Sequence, residues 1–219
     1  MTMTSNGPLH ISWHRTWQAL GLPGTNDALR DKLIDRYAEP HRKYHTLQHL
    51  GECIAMLARY PGQPEHAGEV EMALWFHDAI YDIGVPGNEE RSAQWAMDEL
   101  HAAGAAPGVA ERVHAMVMAT RHDVAPQTAD AQLLVDIDLS ILGAAPARFD
   151  EYEVQVRDEY SVVSQDVFRP RRKSIVLGFL DRPVIYGTAF FHDLLEAQAR
   201  RNLLRSMASI DTAPPPTVR

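Results

Sequence analysis

The chain has 219 residues, 45% of them hydrophobic, and a formal net charge of −8. That length suffices for one full-sized core with at most a small appendage, and the acidic balance argues against a nonspecific nucleic-acid binder, which shows a basic face. A single cysteine, Cys53, excludes an internal disulfide framework and fits a reducing compartment. No apolar run approaches the ~20 residues of a membrane-spanning helix, and residues 1–6 show no basic region leading into an apolar one. The expectation is a soluble cytoplasmic protein without membrane or nucleic-acid polymer partners, its assembly as a homodimer left open.

Helical periodicity dominates, with Ala, Leu, Glu, Arg and Met between punctuation marks. A first short helix ends before Gly21-Leu22-Pro23-Gly24, and a second runs from Asp27 to Ala38 with Asn26 or Thr25 as cap. Pro40 breaks it. A third helix, carrying His45 and His49, runs to about Tyr60, and Pro61-Gly62-Gln63-Pro64 is a loop. The next, through Val70 to Tyr81, carries His77-Asp78; after Gly84-Val85-Pro86-Gly87, Asn88 caps a helix with Glu89 and Glu90 in its first turn. Further helices are predicted near Pro107–His122, Asp130–Leu142, Pro146–Ser164, Arg171–Leu180 and Thr188–Met207. Val184-Ile185-Tyr186 could pass for a strand but is too short to carry a sheet. The fold class is therefore all-α, with a flexible N-terminus over 1–9, one domain over 10–208 and a disordered proline-rich tail over 209–219.

Charged and imidazole groups are costly to bury unless something pairs with them, yet His77 and Asp78 lie between Leu74, Trp75, Phe76 and Ala79, Ile80, Tyr81. On a helix, His45 and His49 at i and i+4 share a face. Two neutral imidazoles suit first-row transition metals, and added carboxylates widen the choice towards manganese or magnesium. His77 and Asp78 diverge by about 100° on a helix, so both reach one ion only if the helix end points at it. Val135-Asp136-Ile137-Asp138-Leu139 supplies two further carboxylates that face nearly opposite sides, of which only one should be a ligand.

His49, His77-Asp78 and a later Asp resemble the H…HD…D signature of the HD-domain superfamily of metal-dependent phosphohydrolases. The similarity extends through Arg42-Lys43-Tyr44-His45-Thr46-Leu47-Gln48-His49, Trp75 to Asp82, Asn88 to Ala93 and Asp136 to Gly143. It continues from Arg157-Asp158-Glu159-Tyr160 to Ala199-Arg200-Arg201-Asn202-Leu203, so roughly residues 10–207 look like one small bacterial branch of predicted HD phosphohydrolases. The resemblance implies an HD-type helical bundle with His49, His77, Asp78 and Asp138 as ligands, Asp136 being the fallback. The ion could be manganese, magnesium, cobalt, zinc, nickel or iron. His45 takes the place of a general acid or phosphate contact.

The expected activity is hydrolysis of a small phosphorylated metabolite or nucleotide by a metal-activated water. His45, Glu89 and Asp78 are the catalytic candidates, with Glu90 an alternative to Glu89 for orienting the water. Arg42, Tyr44, Arg171 and Arg172 are the candidate substrate contacts; with Lys173 the last two form a basic cluster suited to phosphates. Plainer readings stand beside these. Glu89 and Glu90 are also ordinary N-terminal helix acids, Arg171 to Lys173 a solvated run, and Cys53 a small buried residue on the face of His49. A dinuclear iron oxygenase would need His101 and His122, and His101 sits at an apparent helix end. A non-catalytic metal- or nucleotide-binding module is the third reading. Phe191-His192-Asp193 copies the earlier triplet with little ordered chain expected after it to supply a downstream Asp and reads as a decoy.

Overall fold

The computed structural model describes residues 7–212. All regular structure among them is helical: ten α-helices and one 3-10 segment, with no strand. None of these helices is long and apolar enough to cross a membrane. The chain divides into two compact units with the boundary between Asp138 and Leu139.

The first unit holds seven helices. They are α1 (Pro8–Ala19), α2 (Asp27–Tyr37), α3 (Leu47–Arg59), α4 (Ala67–Phe76), α5 (Asn88–Ala102), α6 (Val109–Ala119) and α7 (Ala129–Asp138). Pro8 opens α1, where a missing N–H costs nothing. Pro8 and Leu9 are therefore helical, a correction to the flexible stretch expected over 1–9, of which residues 1–6 lie outside the described residues. Ser12, Trp13, Thr16 and Trp17 form the buried stripe of α1, and Trp13 meets Trp75 edge-on at 5.1 Å. Asn26 caps α2 as predicted, accepting from the N–H of Leu29.

Helix α4 is the axle of this unit. Every residue from Glu69 to Phe76 is buried, and α1, α3, α5, α6 and α7 all pack against it. Its two carboxylates are matched: Glu69 accepts two bonds from Arg112 at 2.7 and 2.6 Å, and Glu71 accepts from Ser12 and Arg15. The helix ends at Phe76, five residues before the expected Tyr81. The cause is tertiary. Buried Arg42 donates to the carbonyls of Asp78 and Ala79, and the Tyr37 hydroxyl accepts from the N–H of Asp78, so this backbone bonds sideways.

Helix α3 starts late for a local reason. Thr46 is its cap, accepting from the N–H of Gln48, so His45 precedes the helix and the shared face with His49 is not helical. Likewise Gly87 rather than Asn88 caps α5; the Asn88 side chain instead bonds both ways with the backbone of Asp82. Gly104, at φ 77°, closes α5 by donating to the carbonyl of His101, the C-terminal turn predicted there.

The second unit comprises the 3-10 segment Leu139–Gly143, α8 (Pro146–Glu159), α9 (Gln165–Leu180) and α10 (Ala189–Thr212). Asn202 of α10 donates to the carbonyls of Leu142 and Ala144 at 2.8 and 2.9 Å. Glu196 accepts from the N–H groups of Ile185 and Tyr186, so the 184–186 stretch is a side-chain-capped loop rather than a strand. Helix α9 begins six residues before the expected Arg171 and contains Pro170; a proline early in a helix removes one hydrogen bond without ending it. Helix α10 continues through Thr212, so 209–212 belong to a helix, while the rest of the tail expected to be disordered lies outside the described residues.

Candidate metal centre

Four predicted ligands converge in the first unit. His49 is on the first turn of α3, His77 is the C-terminal cap of α4, Asp78 follows it, and Asp138 ends α7. His49 Nε2 lies 3.1 Å from His77 Nε2, 3.2 Å from Asp138 Oδ1 and 3.5 Å from Asp78 Oδ2. His77 Nε2 lies 3.1 Å from Asp78 Oδ2 and 3.6 Å from Asp138 Oδ1. Donors bonded to one ion at about 2.1 Å and subtending 90–110° stand about 3.0–3.4 Å apart; three of these five separations fall in that range and two lie slightly beyond it, at 3.5 and 3.6 Å. Both imidazoles are buried, whereas each carboxylate side chain keeps 15% of its surface exposed, so the cluster opens to solvent on its carboxylate side.

The protonation pattern points the same way. His77 Nδ1 is 2.8 Å from the carbonyl of Leu74, which can only accept, so Nδ1 carries the hydrogen and neutral His77 offers its Nε2 lone pair to the cluster. His49 Nδ1 meets the Tyr44 hydroxyl at 3.1 Å, the outer contact that fixes an imidazole ligand's orientation. Asp78 Oδ2 is buried with no contact in hydrogen-bond geometry, its nearest partner being the His77 Nε2 ion pair at 3.1 Å, and a cation would satisfy it. With no ion, burial works against a charge on His77, yet Asp78 and Asp138 hold its pKa well above the usual imidazole range. Burial likewise opposes ionisation of the carboxylates. Neighbouring histidines, His77 foremost for Asp78 and His122 for Asp138, keep both well below the usual range.

His49, Cys53, His77 and Asp138 bring ligand atoms within 4.8 Å of one another and could hold a metal ion. Cys53 Sγ is nearly equidistant from the two ring nitrogens of His49, at 3.7 and 3.8 Å. It therefore lies beside the ring rather than along the Nε2 lone pair, and burial pushes its thiol pKa up. Asp136, the fallback, is fully buried and accepts from Gln132 at 2.8 Å; the two-residue offset turns it away from the histidines.

The remaining candidates are distributed unevenly. His45 stacks on Tyr81 at 3.9 Å, its ring centroid 6.0 Å from that of His49. The Arg42 side chain is fully buried, and its donors go to Glu39 and to the carbonyls of His45, Asp78 and Ala79. It braces the backbone of the turn that carries Asp78. Tyr44 is also buried, with its hydroxyl on His49. Glu89 is half-buried in the first turn of α5, and Glu90 there pairs with Arg121. In the second unit Arg172 is buried against Tyr152 and Glu153, so its charge is committed inside the fold, while Arg171 is exposed. His101 is exposed and pairs with Glu111 at 3.4 Å, away from the cluster. His122, by contrast, reaches Asp138 Oδ2 at 3.1 Å. His192 pairs with its neighbour Asp193, both exposed, as expected of the decoy.

A cavity of about 580 Å³ lies elsewhere in this unit, lined by Glu65, Met116, Arg121, Val124 and Pro126 among others, and contains none of the cluster residues. Comparison with known proteins supplies no relative: no family model, no curated protein and no solved structure matches the chain.

Proposed function

We propose that this chain is a metal-dependent phosphohydrolase of the HD type, acting on a small phosphorylated metabolite or nucleotide. The observation that carries the reading is the convergence of His49, His77, Asp78 and Asp138 at or near coordination spacing, with the buried Asp78 Oδ2 lacking a contact in hydrogen-bond geometry. The sequence resemblance supports the choice of chemistry. The four side chains fit a divalent ion: two neutral imidazoles and two carboxylates sum with it to zero charge, which leaves an anionic phosphate unopposed. Manganese, magnesium, cobalt, zinc, nickel and iron all accept such a mixed nitrogen–oxygen set.

When bound, the ion would lower the pKa of a water towards ~7 and polarise a phosphoryl oxygen. His45, outside the ligand set and stacked on Tyr81, holds an imidazole where a leaving oxygen could take its proton. The reacting group would approach from the side on which Asp78 and Asp138 keep part of their surface exposed. Arg42 and Tyr44 act behind the ligands, Arg42 on the Asp78 turn and Tyr44 on His49. No contact of His101 favours the dinuclear iron oxygenase.

The test is phosphate release from a panel of phosphorylated metabolites with manganese, cobalt or magnesium, comparing the protein with His77→Ala. Turnover that disappears in the variant supports the reading. Absence of turnover with every metal, or equal turnover by His77→Ala, refutes it; metal uptake without any turnover would point to the binding module.

A further inference from the structure

His122 sits against the cluster in a geometry that the four ligands alone do not explain. Its Nε2 is 3.1 Å from Asp138 Oδ2, while the other oxygen of that carboxylate, Oδ1, faces the Nε2 atoms of His49 and His77 at 3.2 and 3.6 Å. This contact has hydrogen-bond geometry, so His122 Nε2 carries the hydrogen and has no lone pair left for an ion, whereas the Nε2 atoms of His49 and His77 meet the carboxylates at ion-pair distance without that geometry. The backbone is also unusual. His122 has φ 58°, and the other non-glycine residue described with positive φ is Asn26, a helix cap. Left-handed backbone is uncommon for residues with a β-carbon, though His, Asn and Asp adopt it most readily; it persists where surrounding contacts over-determine it. Those contacts are present. Arg121 pairs with Glu90 of α5 and with Asp123 at 3.0 Å, tying both neighbours of His122.

We propose that His122 is a positioning residue of the metal centre, donating from Nε2 to Asp138 Oδ2 and so aiming Oδ1 at the ion. The inference rests on the metal reading given above. It completes a pattern in which each ligand has an outer partner: Leu74 for His77, Tyr44 for His49, Arg42 for the Asp78 turn and His122 for Asp138. It also separates His122 from the role of an extra ligand.

Cobalt(II) titration, followed by visible absorbance against a competing chelator, tests this on the full chain. Asn at 122 tolerates positive φ but is too short to reach Asp138, so His122→Asn should bind cobalt about 10–100-fold more weakly. The number of ions per chain and the unfolding temperature of the chelated protein should stay unchanged. His122→Gln, which returns an N–H donor at similar reach, should recover much of the loss. Equal affinity in wild type and His122→Asn overturns the inference. So does a fall from two bound ions to one, which would make His122 a ligand. A chelated His122→Asn protein that unfolds early, with no recovery in His122→Gln, would also overturn it by showing a purely structural role. Wild type that takes up no cobalt at all defeats the metal reading itself, and this inference with it.

Discussion

Replacing Arg42 by alanine should destabilise the first unit by about 3–5 kcal/mol, the cost of breaking a buried charged network. The figure follows from its contacts. Loss of the guanidinium strands the carbonyls of Asp78 and Ala79 and weakens the satisfaction of His45, and each buried acceptor left without a donor costs about 1–3 kcal/mol. The guanidinium also lies 5.3 Å from the Tyr37 ring and 5.8 Å from the Tyr81 ring, contacts worth about 0.5–1 kcal/mol each. Glu39, whose side chain keeps 23% of its surface exposed, can rehydrate and offsets part of the sum. Arg42→Lys keeps the charge but not the fork, so it should lose roughly half as much. Urea unfolding of the chelated protein measures both, as a shifted midpoint with an unchanged slope. An Arg42→Ala cost below about 1 kcal/mol would refute the bracing role.

Three further outcomes are expected. Tyr44→Phe removes the hydroxyl from His49 Nδ1 and should weaken metal binding about 10-fold or more with the fold intact, measured by chelator competition. The pH dependence of the chelated protein has a defined sign. Asp78 and Asp138 are depressed, so their contribution is complete above about pH 4 and is lost as pH falls through their folded values; His77 is raised, so its contribution is complete below about pH 6.5 and is lost as pH rises through its folded value. Unfolding temperatures scanned across pH should therefore decline on the alkaline side without metal, whereas metal binding strengthens there because it needs neutral imidazoles; a chelated protein that gains stability steadily above pH 7 would contradict this. Finally, Asn202→Ala leaves the carbonyls of Leu142 and Ala144 without their donor and should cost about 2–4 kcal/mol by denaturant unfolding.

What could be read from the sequence was local. Apolar periodicity and punctuation located the helices, the Asn26 cap and the turn at Gly104, because those signals act within a few residues. The two-residue offset of Asp136 and Asp138 on one helix showed that only one could face the histidines, and the resemblance favoured Asp138, the one that does. What escaped depended on partners far along the chain. Nothing between Phe76 and Tyr81 breaks a helix; it ends there because Arg42 and Tyr37 claim the Asp78–Ala79 backbone. Arg42 and Arg172 read as cations open to a phosphate, since their burial against carbonyls and against Tyr152 and Glu153 is visible only in three dimensions. The late start of α3 was legible in principle, as Thr46 carries the cap signal, but the His45–His49 spacing matched a helix and masked it.

A metal centre built by His49, His77, Asp78 and Asp138 should be visible as metal content after equilibration with divalent ions and removal of the excess. Wild type should retain a single first-row divalent ion per chain, and His77→Ala and Asp138→Ala should retain almost none while remaining folded. Wild type that retains no ion, or variants that retain as much as wild type, would contradict it.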